Sequence, residues 1–282
     1  MKADCHIHML LDGENWKAAI DRHRSSPHIP TIRAALDLYR QQGYTYLRDG
    51  GDRWGVGAAA RAIAPEYGIT YRTPLAPLCK TGHYGSFIGE TYGNMTEYAC
   101  LVRKTRGKGG DFIKIMISGL MDFDRAGVLT EAGLSSEEIR ELIHIAHEEG
   151  FGVMAHCNGA RTMETAACWG VDSIEHGAYA DEQALIAMAE NKMVWVPTVS
   201  TVANLRGSGY FDQGSVCEIL EGLGENIRRF VALGGILAPG SDAGARTVPH
   251  GADTEYKLLA EILGAQAPQI LARGSEVIME HF

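Results

Sequence analysis

The sequence predicts an α/β protein, a closed (β/α)8 TIM barrel, and three observations predict it. Short apolar runs alternate with amphipathic stretches along the whole of the 282 residues, giving eight strand–helix units. The runs are apolar throughout, as parallel strands covered by helices are. Eight such units in about 250 residues are the pattern of a closed barrel. An open doubly wound sheet is the runner-up, but its G-x-G-x-x-G turn has no convincing match: GDRWGVG follows the second strand with the wrong spacing. No phosphate-binding GKS or GKT occurs.

The units follow in order. ADCHIHML (3–10) is the first strand and IRAALDLYRQQG a helix with Ile32, Leu36 and Tyr39 on one side. YTYLRD (44–49) and the helix VGAAARAIAPEYG make the second unit, ITYRTPLAPL (69–78) and MTEYACLVRKTRGKGG the third. DFIKIMISG (111–119) is the fourth strand. Its helix, SSEEIRELIHIAHEEG, opens on Ser135 with Glu138 three residues on, a capping box, and carries the stripe Ile139, Leu142, Ile143, Ala146. GVMAHCNG with RTMETAACWG, VDSIEHGAY with DEQALIAMAENK, and MVWVPTVS with VCEILEGLGENIRRFVALGG complete units five to seven. ILAPGSDAG (236–244) is the eighth strand, followed by TEYKLLAEILG and a helical tail. No internal repeat or linker appears, so residues 1–282 read as one domain.

Composition narrows the class of partner. A net charge of -9 without an Arg/Lys stripe argues against nucleic acid. No apolar run is long enough to span a membrane, and no apolar signal segment opens the chain. Six cysteines without a CxxC pair read as reduced thiols, which places the expectation in the cytoplasm.

Polar residues gather where a barrel keeps its active site, at the C-terminal strand ends. His6 and His8 close the first strand, Lys114 lies in the fourth, and His156, His176 and Asp242 end the fifth, sixth and eighth. A single histidine at a strand end is ordinarily a hydrogen-bonded core residue. His6 and His8, however, share a face because side chains alternate with period two. Strict alternation places Cys5 opposite them, and Cys157 opposite His156. Lys114, between Ile113 and Ile115, is costly to bury unpaired. Together these favour a metal site with nitrogen and oxygen ligands, suited to zinc and equally to manganese, iron, cobalt or nickel.

DCHIH, DFIKIMISG, AHCNG, DSIEHG and GSDAG, in this order, resemble the first, fourth, fifth, sixth and eighth strand motifs of the amidohydrolase superfamily. The style is that of its imidazolonepropionase-like and Xaa-Pro dipeptidase-like branch, and the likeness covers nearly the whole chain. The resemblance implies two divalent metals, most readily zinc. His6, His8 and Asp242 would hold one and His156 and His176 the other. Lys114 would bridge them as a carbamate. It further implies hydrolysis of an amide-type C–N bond by a metal-bridging hydroxide, with Asp242 as the proton shuttle. Deamination of a ring amine on one metal, lactone or ester hydrolysis, and a barrel that only binds ligand are the competing expectations. Two departures stand out. The flanking segments that build a β-sandwich in many relatives are not evident, so a barrel without that side domain is expected. Asn158 replaces the usual residue of an AHAHG-like turn.

Loops after the strands supply the candidate substrate groups. They are His83 and Tyr84 in the third loop, a glycine-rich candidate lid, Arg206 and Tyr210 in the seventh, and Arg246 and His250 in the eighth. Aromatic walls with cationic ends suit a small molecule carrying a carboxylate: an N-acyl amino acid, an Xaa-Pro dipeptide or a small cyclic amide. Tyr84 or His83 is the candidate donor to a developing oxyanion. Arg125 is a further candidate for an acid group, with Asp122 and Asp124 as its competing partners. A homo-oligomer is expected from the enzyme class, not from any visible interface.

Overall fold

Ten short strands, every pair parallel, make up the sheet of the computed structural model, which describes residues 2–282. β1 (Lys2–Ile7), β2 (Tyr44–Asp49) and β3 (Thr70–Arg72) form one ladder. β4 (Leu78–Lys80), β5 (Glu90–Tyr92), β6 (Ile113–Met116), β7 (Val153–Cys157), β8 (Ser173–His176), β9 (Val194–Val196) and β10 (Ile236–Leu237) form the other, in the order β10-β9-β8-β7-β6-β4-β5.

Backbone hydrogen bonds join the ladders at both edges and close the barrel. Past β10 the chain runs on beside β1: Cys5 N donates to Pro239 O at 2.9 Å, Asp242 N to His6 O at 2.7 Å and His8 N to Ala243 O at 2.7 Å. At the other edge Asp111 N donates to Thr73 O at 3.0 Å. β3 and β4 share one barrel position and β5 lies outside it, so ten strands fill eight positions.

Three features differ from the sequence expectation. The third strand is broken between Arg72 and Leu78, where Pro74 and Pro77 lack the N–H a ladder needs; β3 pairs with β2 and β4 with β6. The glycine-rich third loop contains β5, paired with β4, so part of it is fixed in the sheet. The first loop folds a helix, Trp16–His23, capped by Asn15, whose side chain accepts from Ala18 N. Elsewhere the helices form where the periodicity puts them. The capping box of Ser135 and Glu138 is present on the helix Ser136–Glu148, and its stripe Ile139, Leu142, Ile143 and Ala146 is buried.

The barrel interior is stacked in tiers, since residues two apart on a strand share a face. Tyr46, Phe112, Met154 and Val194 belong to one buried floor cluster, plugged from below by Ile278 and Phe282 at the end of the last helix, Ala267–His281. One step up stand Arg48, Lys114, His156, Glu175 and Val196. The expected alternation of β1 is interrupted by a register shift between Asp4 and Ile7. This bulge corrects the placement of Cys5, which packs in the floor cluster and not among the helices. Cys157 faces the helix-side core.

Candidate metal centre

The strand ends bring six residues together at the top of the barrel. His6 Nε2, His8 Nε2 and Asp242 Oδ1 form a triangle with edges of 3.4, 3.5 and 3.4 Å. All three residues are buried, and their donor atoms lie close enough to share one ion. A tetrahedral ion with ligands about 2.0–2.1 Å away holds its donor atoms ~3.3–3.4 Å apart. The triangle therefore has the size of one face of a zinc tetrahedron. His176 Nδ1 stands 4.0 Å from Asp242 Oδ2, and the His156 and His176 rings are 4.6 Å apart between centroids.

Buried partners fix which ring nitrogens are free. Glu175 Oε2 lies 2.7 Å from His6 Nδ1, which donates to it and leaves a lone pair on Nε2. The carbonyl of Gly119 can only accept, so His156 Nε2 is the donor at 3.1 Å and Nδ1 carries the lone pair. Thr198 Oγ1 meets His176 Nδ1 at 2.8 Å. Burial, with the nearby Lys114 charge adding to it, pulls the His8 and His156 imidazoles down to about 3. Burial likewise holds His6 and His176 well below the usual histidine range. All four imidazoles are thus neutral, the form that ligates metals.

Three buried polar atoms of this site have no hydrogen-bond partner among the described residues: His8 Nδ1, Lys114 Nζ and Asp242 Oδ1. Burial lowers the Lys114 pKa, opposed by Glu175 and Asp242, and burial raises that of Asp242, opposed by Lys114. An unpaired ammonium in this position is the costly group expected from the sequence. A lone-pair triangle beside an amine without a partner is a donor set that fits a divalent metal centre.

Backbone strain gathers at the same place. Among non-glycine residues with positive φ are His176 (69°), Thr198 (49°) and Asp242 (57°), the first and last at strand exits. Left-handed backbone at such residues is sparsely populated and commonly marks functional sites. Two glycines make room for the ligands. A Cβ on Gly50 would stand 2.2 Å from the His8 ring, and one on Gly240 2.9 Å from the His6 backbone nitrogen.

Above the cluster opens a cavity of about 500 Å³. Its walls are mostly apolar, with Trp16, Phe87, Phe123 and Phe211 the largest apolar side chains. Tyr84 and Arg246 line it as expected. The Tyr84 ring lies 4.7 Å from that of His156, its backbone N–H donates to Glu131 Oε1 at 2.7 Å, and burial keeps its phenol protonated. Arg246 pairs with no acid among the described residues and lies 5.0 Å from the centre of the Tyr210 ring.

The structure corrects the placement of the other four substrate-binding candidates, none of which lines this cavity. His83 turns to Glu131, 3.7 Å away. Arg206 is exposed and bonds back to Ala203 O at 3.5 Å. Tyr210 is 61% exposed and supports Arg246 from outside. His250 ties Leu11 O at 2.9 Å to the Tyr39 hydroxyl at 3.1 Å. Arg125 pairs with Asp122 at 2.5 Å. Asn158 lines the cavity and is anchored there, donating to Gly119 O at 3.1 Å and accepting from Ala178 N at 3.0 Å.

Sequence reasoning passed over Arg48, Glu175 and Thr198. A signal existed for the first two, a charge placed inside an apolar strand next to a candidate site. For Thr198 there was none.

The fold is shared with solved structures that include an amidohydrolase, prolidases and an ochratoxinase. A solved structure of ochratoxinase from A. niger superposes with a TM-score of 0.80 at 21% identity, over 98% of this chain and 70% of that one. A Xaa-Pro dipeptidase with methionine in its active site gives 0.76 at 21%, over 98% and 74%. A prolidase complexed with N-methylphosphonate-L-proline gives 0.77 at 24%, over 98% and 74%. In sequence, ochratoxinase from Aspergillus niger is 24% identical over 234 residues, which is 71% of this chain and 47% of the relative. The chain therefore spans about half the length of the curated relatives it matches. No family model matches it.

Proposed function

We propose that this chain is a metal-dependent amidohydrolase that cleaves the amide C–N bond of a carboxylate-bearing substrate, an N-acyl amino acid or an Xaa-Pro dipeptide. The observation that carries the proposal is the triangle of His6, His8 and Asp242, with edges matching a tetrahedral ion, beside an unpaired buried Lys114. His6, His8 and Asp242 would hold one ion and His156 and His176 a second; Lys114, carboxylated by carbon dioxide, would offer them an anion in place of a stranded cation. Zinc suits this set of imidazole and carboxylate donors.

When bound, such ions lower the pKa of a water molecule and polarise the scissile carbonyl. The chain's own groups do the rest. Asp242 takes the proton of the nucleophile and passes it to the leaving nitrogen. Its Oδ1 belongs to the ligand triangle, so its Oδ2, 4.0 Å from His176 Nδ1, is the oxygen left for that exchange. Tyr84, protonated and packed on His156, donates to the carbonyl oxygen as charge develops. Arg246, with no acid of its own, receives the substrate carboxylate at the rim. The apolar walls favour a large apolar acyl group and exclude water. That neighbours in fold include an ochratoxinase and prolidases supports this substrate class. Free cysteines throughout the described chain agree with a cytoplasmic setting.

Metal content per chain, followed by a screen of N-acyl amino acids, Xaa-Pro dipeptides, lactones and ring amines, tests the proposal. Divalent metal at up to two per chain is expected, with amide turnover abolished by a chelator and restored by zinc. Protein purified without chelator that carries no metal, or a metal-loaded protein that releases ammonia from ring amines alone, would sink it.

A further inference from the structure

Beneath the triangle lies a charged assembly that takes no direct part in the proposed chemistry. Arg48 and Glu175 are both 0% exposed. Arg48 Nη2 donates to Glu175 Oε1 at 2.7 Å, Nη1 to Ser173 Oγ at 3.0 Å and Nε to Cys5 O at 2.7 Å. Ser173 Oγ donates to the same Oε1 at 2.6 Å. The carboxylate is therefore divided. Oε1 takes both supporting donors, and Oε2 is left to His6 Nδ1 alone. The guanidinium rests on the Phe282 ring, 4.4 Å from its centre, so the end of the last helix braces the assembly from below.

The four histidines are held unequally. His6 alone is backed by a carboxylate; His156 has a carbonyl, His176 a hydroxyl, and His8 Nδ1 no partner. A carboxylate on the far nitrogen fixes the tautomer, orients the ring and raises its basicity as a ligand. A buried ion pair used only for stability gains little over an apolar replacement, so its placement behind one ligand calls for a specific role.

We infer that Glu175, locked by Arg48 and Ser173, is a positioning residue that sets metal affinity at the His6–His8–Asp242 set. The inference rests on the metal-centre reading above. The two side chains are a unit: Arg48 keeps Glu175 aimed, and Glu175 keeps the Nε2 lone pair of His6 directed into the triangle.

The test is a zinc titration of the full chain against a chelator of known affinity, with cobalt absorption as a second readout of the ligand field. Glu175→Gln is expected to weaken zinc binding by about 10–100-fold and to shift the cobalt spectrum. Because it strands a buried Arg48, that variant can fail to fold. Arg48→Met combined with Glu175→Gln removes both charges and is expected to show the same loss in a folded protein. Phe282→Leu, which leaves the carboxylate in place but unbraced, is expected to lose less. Either folded Glu175 variant with wild-type zinc affinity and cobalt spectrum overturns the inference while leaving the metal centre standing. A wild-type chain that binds no zinc overturns both.

Discussion

The floor and the rim of the one cavity are built by different rules. On the floor, each candidate ligand sits at or near the exit of a parallel strand, and buried groups that water cannot replace hold most of them in place: Glu175 for His6, Gly119 for His156, Thr198 for His176. At the rim, side chains come from loops and take whatever surface partner is near, as Arg125 takes Asp122 and His83 takes Glu131. The difference teaches where residue type alone is informative. A strand exit fixes both position and direction, whereas a loop fixes neither, so four of six rim candidates lie off the cavity wall.

The largest effect that would sharpen this contrast is on the floor. Asp242→Asn keeps most of its donor geometry but cannot accept the proton, so turnover should fall about 10²–10⁴-fold while much of the bound metal remains. Steady-state kinetics alongside metal analysis checks it, and full activity in the variant refutes the shuttle role. Gly50→Ala comes next. The added methyl group lands on the His8 ring, so a loss of metal per chain is expected without any change of ligand. Unchanged metal content would show that the floor is less rigid than the packing indicates.

Rim effects should be smaller and should fall on binding. Arg246→Met removes a charge-assisted contact worth about 1.5–3 kcal/mol, raising KM for carboxylate substrates roughly 10–100-fold with little change in kcat. An equal rise for the corresponding uncharged amides would break the assignment of Arg246. His250→Ala should cost about 1 kcal/mol of stability through its lost hydrogen bonds and leave KM alone; thermal denaturation and kinetics separate the two. A KM effect as large as that of Arg246→Met would return His250 to the substrate site.

Much of the molecule was legible in advance. Helix periodicity and the capping box placed the outer layer, because both are local. Period-two alternation placed His6 beside His8, and the apolar strands around Lys114 marked it as out of place. The bulge in β1 was invisible, since a register shift is a relation to the neighbouring strand. So was the split of the third strand between two partners, although its two prolines warned of an interruption.

By itself, then, the sequence determined the barrel and the strand ends where the candidate ligands stand, because the rise of the strand and the repeat of the helix are properties of the chain alone. Only the tertiary structure decided that Arg48 of β2 and Glu175 of β8 meet, that β1 closes against residues 239–243, and which rim side chains reach the cavity. These are contacts between segments far apart in sequence. Barrel closure and loop packing select them, and no local pattern encodes them.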